Sequence, residues 1–154
     1  MLLRRIIRQL GNTRAYLEPV CVGLALFLIY NATLPVNLAE SHDSLTFLTR
    51  IELYQTSALF HPHHLLYFVT GKYFWEIWRF FGYTKDPLIP LQELNIIFAC
   101  LSISILYITL RQIFKNSWRS LLVCVAVAFS FCFWLYASNV EVYIIPLFFI
   151  LIAF

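Results

Sequence analysis

Long apolar segments with few charges restrict the folds open to this chain. Hydrophobic residues make up 61% of its 154 residues, charged residues only 12%, and the mean hydropathy is +0.76. Soluble globular domains average about 45–50% apolar and about 25% charged residues. A chain with so few charged side chains cannot cover a water-facing surface, so the sequence predicts an all-α integral membrane protein.

The positions of the charges divide the chain into spanning and polar segments. Residues 1–16 carry four arginines and no acidic residue, which is typical of a cytoplasmic segment. Since about 20 apolar residues cross a bilayer, we predict transmembrane helices at 17–38, 91–113 and 119–138. A fourth begins at 142–154, and residues 39–89 form a long extracytoplasmic loop. The prediction is a single membrane region with about four transmembrane helices.

The segments at the two ends of the chain bear on whether this layout is complete and whether its first helix is retained. An arginine-rich start followed by an apolar run also describes a cleaved signal peptide. The run at 17–38 is long for such a peptide, and no small-residue cleavage site precedes Glu40. The apolar run of the fourth segment continues to Phe154. We therefore expect these residues to be the amino-terminal part of a longer multi-span protein.

The long loop is predicted to hold two helices that lie on the membrane surface. Asp43 or Ser44 can cap an amphipathic helix that begins there. Residues 65–83 are rich in aromatic side chains, but Lys72, Glu76 and Arg79 form one charged stripe along them. Each charge at the bilayer centre costs about 2.5–3.5 kcal/mol, so we predict an interfacial helix. A spanning or re-entrant helix is the alternative.

The interfacial interpretation also fits the distribution of basic residues. If residues 65–83 do not cross the membrane, both basic segments, residues 1–16 and 111–119, face the cytoplasm. The loop at 39–89 and the short polar break at 138–143 then share the outer face. Asp43, the histidines of the loop and Glu141 can therefore meet at one site.

Asp43 and Glu141 are the two acidic candidates for that site. Asp43 could simply cap a helix, or it could act as a general base that takes a proton from an acceptor hydroxyl. Glu141 could be a charged side chain that reaches water at the end of a span, or a second carboxylate of the same site. Spacing alone favours the helix cap for Asp43 and leaves both interpretations of Glu141 open.

Basic and imidazole side chains supply the candidate ligands for an anionic substrate. His61, His63 and His64 could bind a phosphate or hydrogen-bond at the interface where a helix begins. A divalent metal is a further alternative, but adjacent histidines fit tetrahedral zinc poorly without another ligand. Lys72 and Arg79 could contact an anionic lipid head group or only anchor their helix to the membrane.

Several other function classes have no support in the sequence. No basic patch is interleaved with stacking residues, so nucleic-acid binding is not expected. The chain has no glycine-rich phosphate loop and no metalloprotease helix motif. Its four cysteines, Cys21, Cys100, Cys124 and Cys132, all lie in apolar segments, where they act as small hydrophobic residues and are not expected to form disulfides.

Short motifs in a fixed order resemble GT-C membrane glycosyltransferases, most closely the branch akin to protein O-mannosyltransferases. An acid–serine pair follows the first span, a His-Pro turn opens an apolar run, and an asparagine begins the next span. Here these motifs are Asp43-Ser44, His61-Pro62 with Leu65-Leu66-Tyr67, Asn95, Leu106-Tyr107 with Leu110-Arg111, and Glu141-Val142-Tyr143. The series covers roughly residues 15–154. Many relatives carry Gly-Glu after the acid–serine pair, where this chain has Leu45-Thr46.

The resemblance implies a lipid-phosphate-linked sugar donor and a site on the extracytoplasmic face. It also implies that Asp43 matches the acidic residue of the first loop that acts on the acceptor. His61, His63, His64 and Glu141 would then line the site, and Lys72 or Arg79 would contact the donor phosphate. The main alternative is a non-catalytic membrane subunit whose aromatic helix packs on a larger complex; a transporter is less favoured because paired broken helices are not evident.

Overall fold

The structure is a computed structural model that describes residues 14–35, 42–53 and 65–153. Of these residues 84% are helical and none forms a strand, which confirms the prediction of an all-α chain. The described helices are α1 (Arg14–Ala32), α2 (His42–Leu53), α3 (Leu65–Phe80), α4 (Leu88–Phe114), α5 (Ser117–Ala128), α6 (Phe131–Ser138) and α7 (Ile144–Ala153).

Helix α4 is the central element, and α1, α3, α5, α6 and α7 all pack against it. At its start, Gln92 Nε2 donates a hydrogen bond to Pro35 O, just beyond the end of α1. At its other end, the Tyr107 hydroxyl donates to Glu18 near the start of α1. Helices α1 and α4 are therefore antiparallel, and the bundle has two polar ends. We name them the Asn95 end and the Glu18 end.

Small and polar residues allow α1 and α4 to approach closely. A Cβ atom on Gly23 would lie only 2.6 Å from Ser104 Oγ. That hydroxyl in turn donates to Pro19 O across the interface at 3.0 Å. Small residues and hydroxyl hydrogen bonds of this kind are typical of contacts between helices within membranes.

Helices α2 and α3 form a parallel pair at the Asn95 end. Phe47 stacks edge-on against Phe68 with ring centroids 5.4 Å apart, and about one turn further along both helices Lys72 Nζ donates to Ile51 O at 2.8 Å. The first half of α3 packs beside the first two turns of α4, because Gly71 lies directly against Leu91. Helix α3 therefore covers one end of the bundle and does not run along its length.

A glycine turn reverses the chain between α3 and α4. Gly82 has φ of +95°, and the Tyr83 amide donates to Trp78 O at 3.0 Å. This is the Schellman arrangement, in which a left-handed residue ends a helix and satisfies its last carbonyl groups. The turn brings the Trp75 indole within 3.3 Å of Lys85 O, which fixes α3 against the start of α4.

The segment predicted as the third span consists of two helices. Helices α5 and α6 meet at Phe129 and Ser130 with a bend of 66°. Among the described residues, α4 is long and apolar enough to cross a membrane, and the α5–α6 pair would also qualify if taken as one broken span. The apolar parts of α1 and α7 are shorter than α4, so helix length alone does not give the number of membrane spans.

Candidate active site

The non-helical segment that joins α6 to α7 is held by side chains from two other helices. Three consecutive carbonyl groups each accept a hydrogen bond. Asn95 Nδ2 donates to Asn139 O at 2.6 Å and to Glu141 O at 2.8 Å. Between them, Val140 O accepts from Ser44 Oγ at 2.9 Å. The segment is thereby fixed to α4 and to the start of α2 at the same place.

These hydrogen bonds join two motifs that lie almost a hundred residues apart in the sequence. Ser44 belongs to the acid–serine pair, and Val140 precedes Glu141 in its motif. Both Ser44 and Val140 are fully buried, so the contact excludes water. Asp43 itself lies in the first turn of α2 and is exposed. A carboxylate at a helix start is stabilised by the helix dipole, and here it remains accessible to a substrate.

Glu141 lies on the inner side of this junction. Its residue is only 9% exposed. Burial raises the pKa of the nearby Tyr67 phenol, the Glu141 carboxylate raises it further, and the neighbouring Asn95 side chain partly opposes both effects. Tyr67 therefore stays protonated and can act as a hydrogen-bond donor toward the acidic residue.

Two buried polar atoms at this junction lack a hydrogen bond of good geometry among the described residues, although their two side chains lie close enough together for Asn95 to lower the Tyr67 pKa. They are the Tyr67 hydroxyl oxygen and Asn95 Oδ1. Tyr67 is 3% exposed and Asn95 is fully buried. Buried polar atoms are normally paired, and exceptions often mark sites that bind water, ions or substrates.

A cavity of about 490 Å³ opens beside the same segment. Its walls include Asn139, Ser138, Trp134 and, from the end of α1, Pro35. Its volume lies within the range of about 300–1,000 Å³ that is usual for small-molecule sites. The polar groups of Ser138 and Asn139 donate to carbonyls of α6 at 2.8 and 3.1 Å, so both donors in this wall are already paired within their own helix.

Lys72 and Arg79 lie farther from Asp43 than the acidic and amide groups do. Lys72 Nζ bonds to Ile51 O near the carboxyl end of α2, and eight residues of helix, about 12 Å, separate Ile51 from Asp43. The ammonium also lies 4.9 Å from the Trp75 ring, and the exposed Arg79 guanidinium covers the same ring at 5.1 Å. Lys72 thus already has a structural role, whereas Arg79 has no ion pair with any residue the structure describes.

The predicted histidine ligands cannot be compared with this geometry. His61, His63 and His64 lie outside the described residues, and the His42 side chain does as well. Within the described parts of the chain, no group of three or more histidine, cysteine or acidic residues is arranged to hold a metal ion. A role for these histidines therefore stays a prediction.

The residues that build the junction were only partly evident from the sequence. Asn95 stands out as an amide in an uncharged span, and polar residues in such spans often bond between helices. The sequence marks it as part of a motif but does not reveal its two carbonyl partners. The sequence did not indicate the interhelical role of Ser44, because a hydroxyl near a helix start is normally interpreted as a cap.

Comparisons with known proteins assign no family to the chain. No protein-family model, no curated protein and no solved structure matches it.

Proposed function

We propose that this chain is the amino-terminal part of a multi-pass membrane glycosyltransferase of the GT-C type. It would transfer a sugar from a lipid-phosphate donor to a hydroxyl acceptor on the extracytoplasmic face. The observation that carries the proposal is the junction of Ser44 and Asn95 with the carbonyls of residues 139–141. Three of the motifs in the ordered series, those that contain Ser44, Asn95 and Glu141, meet there in space.

The arrangement of side chains around α1 supports the membrane part of the proposal. Large apolar residues face outward, and a small residue, Gly23, faces α4. In water this arrangement would expose a wide apolar surface, which soluble monomers rarely do. In a bilayer it is the expected one, because lipid chains solvate the apolar face. The outward-facing residues of α1 are Leu17, Val20, Leu24 and Leu28.

The two polar ends support the proposed orientation. Glu18 bonds to Tyr107 and Ser117 and pairs with Arg111, so the start of α1 and the basic turn at 111–119 lie at one end. Ser44 and Asn95 lie at the other end. With the basic end in the cytoplasm, the Asn95 end faces outward, and Lys72, Glu76 and Arg79 lie on a helix that covers it.

Asp43 is the proposed general base of the transfer. Its carboxylate takes the proton of the acceptor hydroxyl while that oxygen forms a bond to the anomeric carbon of the donor sugar. The bond between the anomeric carbon and the phosphate oxygen breaks, and the lipid phosphate leaves with its electron pair. Glu141 and Tyr67, which are buried beside Asn95, would orient the sugar. Of the two cations, Lys72 is engaged with α2, and Arg79 lies seven residues, about 10 Å, further along α3 from Asp43, so Arg79 is the more distant of the two from the bond that breaks.

The test measures sugar transfer by the complete open reading frame that contains this sequence. Membranes carrying it are supplied with a radiolabelled polyprenyl-phosphate sugar and a hydroxyl acceptor. Asp43→Asn should reduce kcat by about 10²–10⁴-fold, as expected for the loss of a general base. Glu52→Gln is the matched control, because Glu52 is also an exposed acidic residue of α2, and its rate should not change. An Asp43→Asn enzyme with an undiminished rate would remove the proposed role.

Orientation has an independent test. Lys85 lies in the turn between α3 and α4, and Lys115 lies at the other end of α4, between α4 and α5. A cysteine at position 85 should react with a membrane-impermeant maleimide in intact cells. A cysteine at position 115 should react only after the membrane is permeabilised. Reaction at position 115 but not at position 85 in intact cells would place the Asn95 end, and Asp43 with it, on the cytoplasmic face and contradict the proposed orientation.

A non-catalytic membrane subunit is the second candidate, and one feature favours it. The outer face of α3 and the turn after it exposes large apolar side chains, with Phe80 85% and Phe81 81% accessible. Such a patch suits a protein partner as well as a lipid surface. Isolation of the chain in a stoichiometric membrane complex, with no transfer activity in that complex, would support this candidate over the enzyme.

A further inference from the structure

The Glu18 end of the bundle contains a second cavity, far from the proposed active site. Helices α1 and α5 both pack on α4 but contact each other little, so they diverge and leave a space of about 400 Å³. Its polar wall is formed by Glu18, Tyr107 and Ser117, and Trp118 and Leu121 are among its other lining residues. Tyr107 and Ser117 lie at the opposite end of the bundle from Ser44 and Asn95.

The two carboxylate oxygens of Glu18 differ in the number of hydrogen bonds and ion-pair contacts they make. Oε2 accepts from the Tyr107 hydroxyl at 2.7 Å and lies 3.4 Å from Arg111 Nε. Oε1 has one contact among the described residues, the Ser117 hydroxyl at 3.3 Å, and that hydroxyl is equally distant from Oε2. Since a carboxylate offers about four acceptor positions, Oε1 can accept further hydrogen bonds from a donor in the cavity.

The cavity continues into an apolar channel along the same two helices. A neighbouring cavity of about 270 Å³ shares Cys21, Val22 and Leu121 with it. Its remaining walls are apolar side chains of α1, α5 and the turn after α5. A ligand that enters would therefore meet a carboxylate first and hydrocarbon beyond it.

Trp118 adds a second group that attracts cations. It lines the cavity beside Glu18 and is 70% exposed. The face of an indole ring attracts ammonium groups, by about 0.5–1 kcal/mol at exposed sites. Lys115 and Arg119 are exposed on either side of Ser117 and Trp118 in the chain, so positive charge is available nearby for a phosphate.

We propose that this cavity binds the head group of an amine-bearing phospholipid from the cytoplasmic leaflet. The primary ammonium donates to Glu18 Oε1 and contacts Trp118, and one acyl chain lies in the apolar channel. The positively charged turn that holds Lys115 and Arg119 faces the lipid phosphate. The proposal rests on the membrane part of the proposed function and is independent of sugar transfer.

The experiment measures lipid retention by native mass spectrometry. The purified full chain is exchanged into detergent with equal amounts of palmitoyl-oleoyl phosphatidylethanolamine, phosphatidylcholine and phosphatidylglycerol. The ethanolamine lipid should be retained in preference to the other two, because choline has no N–H to donate and glycerol has no positive charge. Glu18→Gln should lower its retention about tenfold, the effect of one charged hydrogen bond, and Glu76→Gln, an exposed acidic residue of α3, should not.

A second pair of variants covers the case in which Glu18→Gln does not fold. Trp118→Leu should lower retention about threefold, and Phe131→Leu, another exposed aromatic residue away from this cavity, should not. Equal retention of the choline and ethanolamine lipids, or unchanged retention by Trp118→Leu, would overturn the proposal. A chain that retains the ethanolamine lipid selectively but transfers no sugar contradicts the proposed enzyme alone.

Discussion

Replacing Asn95 by alanine tests whether the junction at residues 139–141 depends on one amide group. The Asn95 side chain is fully buried, and its Nδ2 is the donor to two carbonyl groups, those of Asn139 and Glu141. Alanine has no donor, so both carbonyls would remain buried without this partner. Each buried acceptor left unsatisfied costs about 1–3 kcal/mol. We therefore expect Asn95→Ala to lower the free energy of unfolding by about 2–6 kcal/mol.

The measurement is unfolding in mixed micelles by sodium dodecyl sulfate, followed by tryptophan fluorescence. Asn116→Ala is the control, because Asn116 is an exposed amide that only caps α5 through the Arg119 amide. Loss of such a cap costs about 1 kcal/mol. If Asn95→Ala destabilises the chain no more than Asn116→Ala does, the Asn95 amide does not hold the segment and the reasoning is wrong.

A double-mutant cycle extends the same prediction to Ser44. Ser44 and Asn95 bond to neighbouring carbonyls of one short segment, so loss of either should loosen the partner of the other. Groups that share one hydrogen-bonded network typically show coupling energies of about 0.5–3 kcal/mol. Additive effects of Ser44→Ala and Asn95→Ala would show that the two helices hold the segment independently.

Three further predictions follow from the packing of α3. A methyl group at Gly71 would meet Leu91 at 2.6 Å, so Gly71→Ala should lower stability by about 1–2 kcal/mol despite better helix propensity; a stabilised variant would contradict this. Lys72→Met should lower the free energy of unfolding by about 1.5–3 kcal/mol, because the hydrogen bond from Lys72 to α2 is lost. Arg79 is exposed, so Arg79→Met should change the free energy of unfolding by less than about 0.5 kcal/mol. Equal effects of the two variants would argue against the contact between Lys72 and α2. Because burial raises the pKa of Tyr67 above its ordinary value of 10.0, the unfolded chain loses this proton first. The contribution of Tyr67 to stability should therefore be constant below about pH 10 and fall above it by up to about 1.4 kcal/mol per pH unit. It is measured as the difference between the wild-type chain and Tyr67→Phe, and an identical pH dependence of the two would show that another group is responsible.

The helical class and its two polar ends follow from composition and the spacing of charges. Uncharged apolar runs of span length can satisfy their backbone groups in a bilayer only as helices or closed barrels, and these runs do not alternate with polar residues as barrel strands do. The stripe formed by Lys72, Glu76 and Arg79 predicts that α3 lies apart from the spans, and the structure has it at one end of α4. These are properties of local sequence, so they can be recognised without tertiary contacts.

The details of the candidate site could not be predicted in this way. The bend between α5 and α6 lies in an apolar run without proline, where the sequence marks it only by Ser130, and a single serine does not predict a bend. The partners of Asn95 and Ser44 are backbone carbonyls about 45 and 96 residues away, and a carbonyl group carries no signature of its own in the sequence. For the same reason the contacts of Glu18 with Tyr107, Ser117 and Arg111 could not be predicted. In the sequence Glu18 is only a single acidic residue in an apolar run.

Local spacing of apolar and charged residues thus specifies which segments are helices and which end of each is polar. It does so because each helix satisfies its own backbone hydrogen bonds. Which side chains meet depends on how the other helices pack against α4. This packing is set by close contacts such as that between Gly23 and Ser104. The acidic residues acquire their neighbours only when these contacts bring distant segments of backbone together.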